Sequence, residues 1–145
     1  LGSDVYNSGT VAAAREAAIL GCRSIAVSQY IAKGHPVNWD ISGYHAAVVL
    51  KMLMKRDIAA SYFWNVNLPH PLVNHSELPV GFCGLDTNPH KFDFKKNEVE
   101  YIYEGSIHER PRDPGTDVAV CFDEGKVSIT RIAVGTPDQG RPLPF

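Results

Sequence analysis

Over its first seventy residues the chain alternates twice between helix-type and strand-type stretches, and that order restricts it to a small set of folds. Val11 to Leu20 read VAAAREAAIL, where alanine and straight-chain residues make the strongest helix composition in the sequence. Gly21 stands where a helix stop belongs. Asn7-Ser8-Gly9-Thr10, just upstream, is rich in the residue types that cap a helix start. Ser24-Ile25-Ala26-Val27-Ser28 is a short apolar run with β-branched residues, which fits a buried strand of a parallel sheet. A polar loop from Ile31 to Asp40 leads into a second helix, expected to be capped by Asp40 or Ser42 and to run to about Ile58. Its apolar stripe would hold Tyr44, Ala47, Val48, Leu50, Met52 and Met54. Tyr62 to Leu68 reads as a second strand, ended by Pro69. Helix, strand, helix, strand implies an α/β domain with a parallel sheet. A βαβ unit needs a strand ahead of its first helix, and none is in the sequence, so the domain is expected to be incomplete at its N-terminus.

The second half changes character. Prolines at 69, 71, 79 and 89 mark a loop-rich stretch, followed by strand-like runs at Glu98 to Tyr103, Asp117 to Phe122 and Lys126 to Val134. Asp123-Glu124-Gly125 between the last two is a short glycine-containing turn, which predicts a β-hairpin there. One domain is therefore expected over residues 1–134, with an α/β part at 1–69 and a loop-and-hairpin part at 70–134. Residues 135–145, rich in proline and glycine, are expected to form a flexible tail.

Bulk properties narrow the function classes. A net charge of −2 gives no electrostatic basis for binding nucleic acid or an anionic membrane. No apolar run approaches the ~18 residues of a membrane span, and Leu1 to Thr10 lack the basic and apolar regions of a secretory signal. Cys22, Cys83 and Cys121 are an odd number without regular spacing, so buried free thiols in a reducing cytoplasm are expected rather than a disulfide framework.

The candidate site is Asn7-Ser8-Gly9-Thr10. The first turn of a helix has unpaired N–H groups and a partial positive charge. Gly9 permits close approach to the backbone, and the hydroxyls of Ser8 and Thr10 can donate to phosphate oxygens. A Ser or Thr before a helix is on its own more often just a cap.

The stretch Leu1-Gly2-Ser3-Asp4-Val5-Tyr6-Asn7-Ser8-Gly9-Thr10-Val11-Ala12-Ala13-Ala14-Arg15-Glu16 resembles the SurE survival-protein nucleotidases, which carry Ser-Gly-Thr-Val before an alanine-rich helix. Ser24 to Gln29 looks like the family's next strand and Asn65-Val66-Asn67-Leu68-Pro69 like its Asn-Val-Asn segment. Thr116-Asp117-Val118 and Gly125-Lys126-Val127-Ser128-Ile129-Thr130 look like its closing blocks. The resemblance implies a Rossmann-like, three-layer domain with a C-terminal β-hairpin extension that makes dimer or tetramer contacts, and a cytoplasmic phosphatase of nucleoside monophosphates. It implies a divalent cofactor, Mg²⁺ or Mn²⁺, held by adjacent aspartates, a serine and an asparagine that in the family all lie upstream of the motif at Leu1. None of these carries over, so no metal ligand and no catalytic residue is assigned here. A chain beginning at Leu1 is expected to be a fragment with little or no activity alone. Ser8, Gly9 and Thr10 carry over as the phosphate site, with Asp4 and Asn7 as possible accessories. Asn7 stands where the family often has tyrosine. The alternative is a non-catalytic phosphate-binding or partner module; a defective product is a third reading.

Other groups read as structural. His70, His75 and His90 follow no metal-ligand spacing, and His45 belongs to a helix surface or part-buried position. Phe92, Phe94, Tyr101 and Tyr103 alternate with Lys91, Lys95 and Lys96, but Glu98, Glu100 and Glu104 dilute the charge, so a half-buried strand pair is expected rather than a single-strand platform. Neither a Walker loop nor a G-x-G-x-x-G is present.

Overall fold

The computed structural model describes residues 1–72, 74–89 and 93–135. After a 3₁₀ turn at Gly2–Tyr6 come α1 (Gly9–Ile19), β1 (Ile25–Gln29), α2 (Trp39–Met54) and β2 (Tyr62–Leu68). Then follow β3 (Val80–Phe82), β4 (Phe94–Lys96), β5 (Tyr101–Tyr103), a 3₁₀ turn at Ile107–Glu109, α3 (Asp117–Phe122) and β6 (Val127–Ala133). The main sheet has the order β1-β2-β6-β3. β1 and β2 run parallel, β6 lies antiparallel to β2, and β3 parallel to β6.

Helix α1 is set by its ends. Ser8 caps its start by accepting the Val11 N–H. At its end Gly21, at φ +79°, lets the N–H groups of Gly21 and Cys22 reach the carbonyls of Ala18 and Ala17, a Schellman stop. Val11, Ala14 and Ala18 form its buried face and pack with Val5 onto Ala26 and Phe63. Alanine at these positions allows close packing of helix on sheet. The other sheet face carries α2, with Val49 and Leu53 against Val66, Leu68, Val127 and Ile129. α1 and α2 thus lie on opposite faces of the sheet, giving the three layers expected. Such sheets bind ligands outside the carboxyl ends of the strands where the winding reverses.

Several expectations need correction. The cap of α2 is Asn38, whose Oδ1 accepts from the N–H groups of Asp40 and Ile41, and the helix ends at Met54. Its buried ladder is Ile41, His45, Val49 and Leu53, every fourth residue, whereas Tyr44, Val48 and Met54 are exposed. The second half departs further. Asp117 to Phe122 is helical, and β6 lies between β2 and β3, so no hairpin joins them. All of α3 from Asp117 to Cys121 is buried, and an all-round apolar run carries no periodicity to separate a buried helix from a strand. The β-hairpin is instead β4–β5, pairing Phe94 with Tyr103 and Lys96 with Tyr101, and all six of its residues are exposed rather than half-buried. Residues 136–145 of the expected tail, and His90, Lys91 and Phe92, lie outside the described residues. Among the described residues no helix is long and apolar enough to cross a membrane.

The thiols are free but not uniformly buried: Cys22 is exposed, Cys83 half-buried and Cys121 buried. Burial pushes the Cys121 thiol up to about 12 and raises that of Cys83. A thiol reagent at neutral pH is therefore expected to modify Cys22 first, Cys83 slowly and Cys121 only on unfolding; rapid native-state labelling of Cys121, read by peptide mass, would contradict this packing.

Candidate functional site

The site is positioned by a clamp between the chain's beginning and its last third. Asp117 is fully buried; one carboxylate oxygen accepts the Gly2 N–H and the other the Asp86 N–H, both at 2.8 Å. Asp86, also fully buried, accepts from the N–H groups of Asn88 and Asp113 and from the Thr116 hydroxyl. Arg110 lies buried against the first residues, with Nη1 donating to Asp4 Oδ2 at 2.7 Å and to the Leu1 carbonyl, and Nη2 to Ser3 Oγ. Gly2, at φ +50°, has no room for a side chain: a Cβ would sit 2.6 Å from Arg110 Nη2. The 3₁₀ turn is thereby held in place, and the start of α1 with it.

Beside this clamp opens a cavity of about 350 Å³ lined by Leu1, Asp4, Ser8, Val11, Ser28, Gln29, Tyr30, Ile31, Asn65 and Asn67. It lies at the carboxyl ends of β1 and β2, on the α1 side. The strands change character along that face. Phe63 and Ala26 are apolar and join the core under α1, while Asn65, Asn67 and Ser28, one or two alternations further on, are polar. From the antiparallel strand, Ser128 and Thr130 pair in register with Asn67 and Asn65. Tyr30 closes one side, its hydroxyl 2.5 Å from His108 Nδ1 and its ring stacked on Phe122. Burial raises its pKa, so the phenol stays neutral.

Of the residues singled out from sequence, Ser8 and Asp4 line this cavity together. Thr10 lines a second one, of about 490 Å³, which adjoins the first by sharing Ser28, Gln29 and Ile31 and also holds Trp39 and Ser42. Nothing lies within 4 Å of where a Cβ on Gly9 would sit, so internal packing does not demand glycine there. Ser8 Oγ uses a lone pair on the Val11 N–H, which leaves its O–H able to donate outward. Asn7 is exposed and ends the 3₁₀ turn through a backbone bond to the Asp4 carbonyl. Asp4 is bound to Arg110 rather than presented as a lone carboxylate.

The divalent cation that the resemblance implies does not fit here. Among the described residues no group of three or more His, Cys, Asp or Glu side chains is placed to hold a metal. His45 and His70 are buried and hydrogen-bonded, to the Asn74 carbonyl and to the Ala32 N–H and Pro36 carbonyl respectively.

Asn65, Asn67, Gln29 and Arg110 were missed as site residues. For the asparagines the signal existed: polar residues at alternate positions of an otherwise apolar strand, in Tyr62-Phe63-Trp64-Asn65-Val66-Asn67-Leu68.

This geometry, an α/β sheet with a capped helix N-terminus beside a polar cavity at the strand ends, is that of a Rossmann-like domain. The family model for survival protein SurE matches residues 1–88, and the chain belongs to the SurE family. A Synechocystis relative with a provisional 5′-nucleotidase name is 42% identical over 134 residues, covering 92% of this chain and 59% of its own. A protein named 5′-nucleotidase SurE from Paramagnetospirillum magneticum is 32% identical over 140 residues, covering 90% of this chain and 51% of its own. The crystal structure of the SurE protein from Aquifex aeolicus matches with a TM-score of 0.75 at 23% identity, over 95% of this chain and 56% of that one, a likeness of fold. The chain thus spans a little over half the length of these proteins.

Burial alone would raise the Asp86 carboxyl's pKa, but the bonds from Asp113, Thr116 and Asn88 outweigh it and hold the group below its ordinary 3.8. A depressed carboxylate contributes stability above its unfolded pKa and loses it as pH falls through the folded one. Unfolding free energy is therefore expected to drop below about pH 4. Asp86→Asn should be about 1.5–3 kcal/mol less stable at neutral pH and show a flatter acid limb; equal acid limbs in denaturant titrations would refute the role of Asp86.

Proposed function

We propose that the chain supplies the phosphate-binding part of a metal-dependent nucleotidase that hydrolyses nucleoside monophosphates to nucleoside and phosphate. The observation that carries this reading is the start of α1. Helix geometry leaves the first-turn N–H groups of Gly9 and Thr10 without intrahelical partners, the helix dipole favours an anion there, and the space over Gly9 is open. A phosphate dianion would accept from these N–H groups and from the hydroxyls of Ser8 and Thr10, with Asp4 and Asn7 acting only through the turn that positions them. The nucleotidase names of the relatives support the substrate class. Mg²⁺ or Mn²⁺ would be held by groups other than the described residues, so no chemical step is assigned to this chain. That same lack of a ligand set favours a second reading, a phosphate- or nucleotide-binding module without turnover.

Association into a dimer or tetramer is assigned to β4–β5 instead of the Lys126 to Val134 segment. Phe94, Tyr101 and Ile102 are each exposed by 45% or more on one small hairpin, an apolar surface of the kind that marks an interface. Tyr101→Ser with Ile102→Glu is expected to lower the mass seen in analytical ultracentrifugation to that of a monomer; an unchanged mass would remove the hairpin from the interface.

For the site, the 145-residue chain is expected to bind inorganic phosphate, and Gly9→Ala to weaken binding about tenfold while leaving thermal stability unchanged or slightly raised, since Ala is the better helix former. With a nucleoside monophosphate and Mg²⁺ or Mn²⁺, little or no phosphate should be released by this chain. Metal-dependent turnover matching a full-length relative would overturn the assignment of the metal to other groups, and phosphate affinity untouched in Gly9→Ala would overturn the site.

A further inference from the structure

Asn65 sits in the middle of β2 with 1% of its surface exposed, yet its Nδ2 has no hydrogen-bond partner. An unpaired buried amide is costly and rare in a folded protein. Its surroundings are not loose in general. Asp86 and Asp117, equally buried, have both carboxylate oxygens engaged, and Asn67, two residues along the same strand, donates to Ser128 Oγ at 3.4 Å. Register partners across the sheet, Ala26 on β1 and Thr130 on β6, give Asn65 Nδ2 no hydrogen-bond acceptor. The residue lines the cavity that Ser8 also lines. An orphaned amide donor therefore lies beside a space whose rim is a helix N-terminus.

We infer that Asn65 is a ligand-binding residue whose Nδ2–H donates to an oxygen of the phosphate held at the start of α1. This rests on the phosphate reading above and extends it from the helix to the floor of the sheet. A fixed, neutral donor in a water-poor site orients a tetrahedral anion without adding charge. It also accounts for a polar residue kept in a strand interior: ligand pockets retain groups that the fold alone would discard. Because the donor sits on a strand packed on both faces, it is positioned by the core, whereas Ser8 and Gly9 are positioned by the clamp; the ligand would bridge the two.

The test compares the 145-residue chain with Asn65→Leu and Asn65→Asp, the second near-isosteric. Inorganic phosphate is titrated while the Gly9 and Thr10 amide resonances are followed by NMR, and thermal unfolding is recorded without phosphate. Both variants are expected to weaken phosphate binding at least tenfold, while Asn65→Leu unfolds at the same or a higher temperature because an unpaired amide has been removed. Asn65→Asp, which keeps the shape, removes the donor and adds a repelling charge, should retain the native near-ultraviolet dichroism and show the larger loss of binding. Phosphate binding unchanged in both variants, with Gly9 and Thr10 still shifting, would overturn the role of Asn65 alone. A lower unfolding temperature in Asn65→Leu with intact phosphate binding would make Asn65 a structural residue. No phosphate-induced shift at Gly9 and Thr10 in the unmodified chain would overturn the phosphate reading and this inference with it.

Discussion

The arrangement of the whole site depends on one buried carboxylate. Asp117 holds the Gly2 and Asp86 N–H groups at once, so residues more than a hundred apart in sequence meet at a single side chain. Arg110 adds the neighbouring bonds to Leu1, Ser3 and Asp4. A buried charge is tolerated only when its bonding capacity is met, and here each oxygen of Asp117 has a backbone donor. The consequence is positional. These bonds hold the 3₁₀ turn at Gly2–Tyr6 in place, so Ser8 caps α1 at a defined place over the sheet.

A second constraint shapes what Ser8 faces. The α1-side surface of the sheet is apolar under the helix, at Ala26 and Phe63, and polar beyond its start, at Ser28, Asn65 and Asn67. The apolar part binds the helix; the polar part does not contribute to that packing and in Asn65 leaves an amide donor unused. Helix packing and unused bonding capacity are thus divided along the length of the same strands. The division falls towards the carboxyl ends of β1 and β2, where α2 departs from β1 on one face and α1 begins on the other.

Much of this was legible in the sequence. The alanine-rich composition, Gly21 and the Ser8 cap marked α1 closely, and the alternation of elements indicated the α/β class and the parallel β1–β2 pair. Four blocks in order pointed to the SurE family. What escaped has physical reasons. Residues Asp117 to Cys121 are buried all round, which erases the periodicity that separates helix from strand. That error placed the hairpin at β6, whereas it is formed by β4 and β5. In α2 the apolar residues exceed what one face can bury, so Tyr44, Val48 and Met54 looked like core while His45, bonded to the Asn74 carbonyl, occupies it. Asn65 and Asn67 were visible as polar interruptions in an apolar strand, but a single sequence does not say on which face, or near which helix end, they fall.

The most direct measurement of the central claim is a crystal structure of the chain grown or soaked with inorganic phosphate. The account predicts tetrahedral density against the N–H groups of Gly9 and Thr10, within hydrogen-bond distance of Ser8 Oγ and Asn65 Nδ2. Phosphate bound elsewhere, with water alone between the start of α1 and β2, would contradict it.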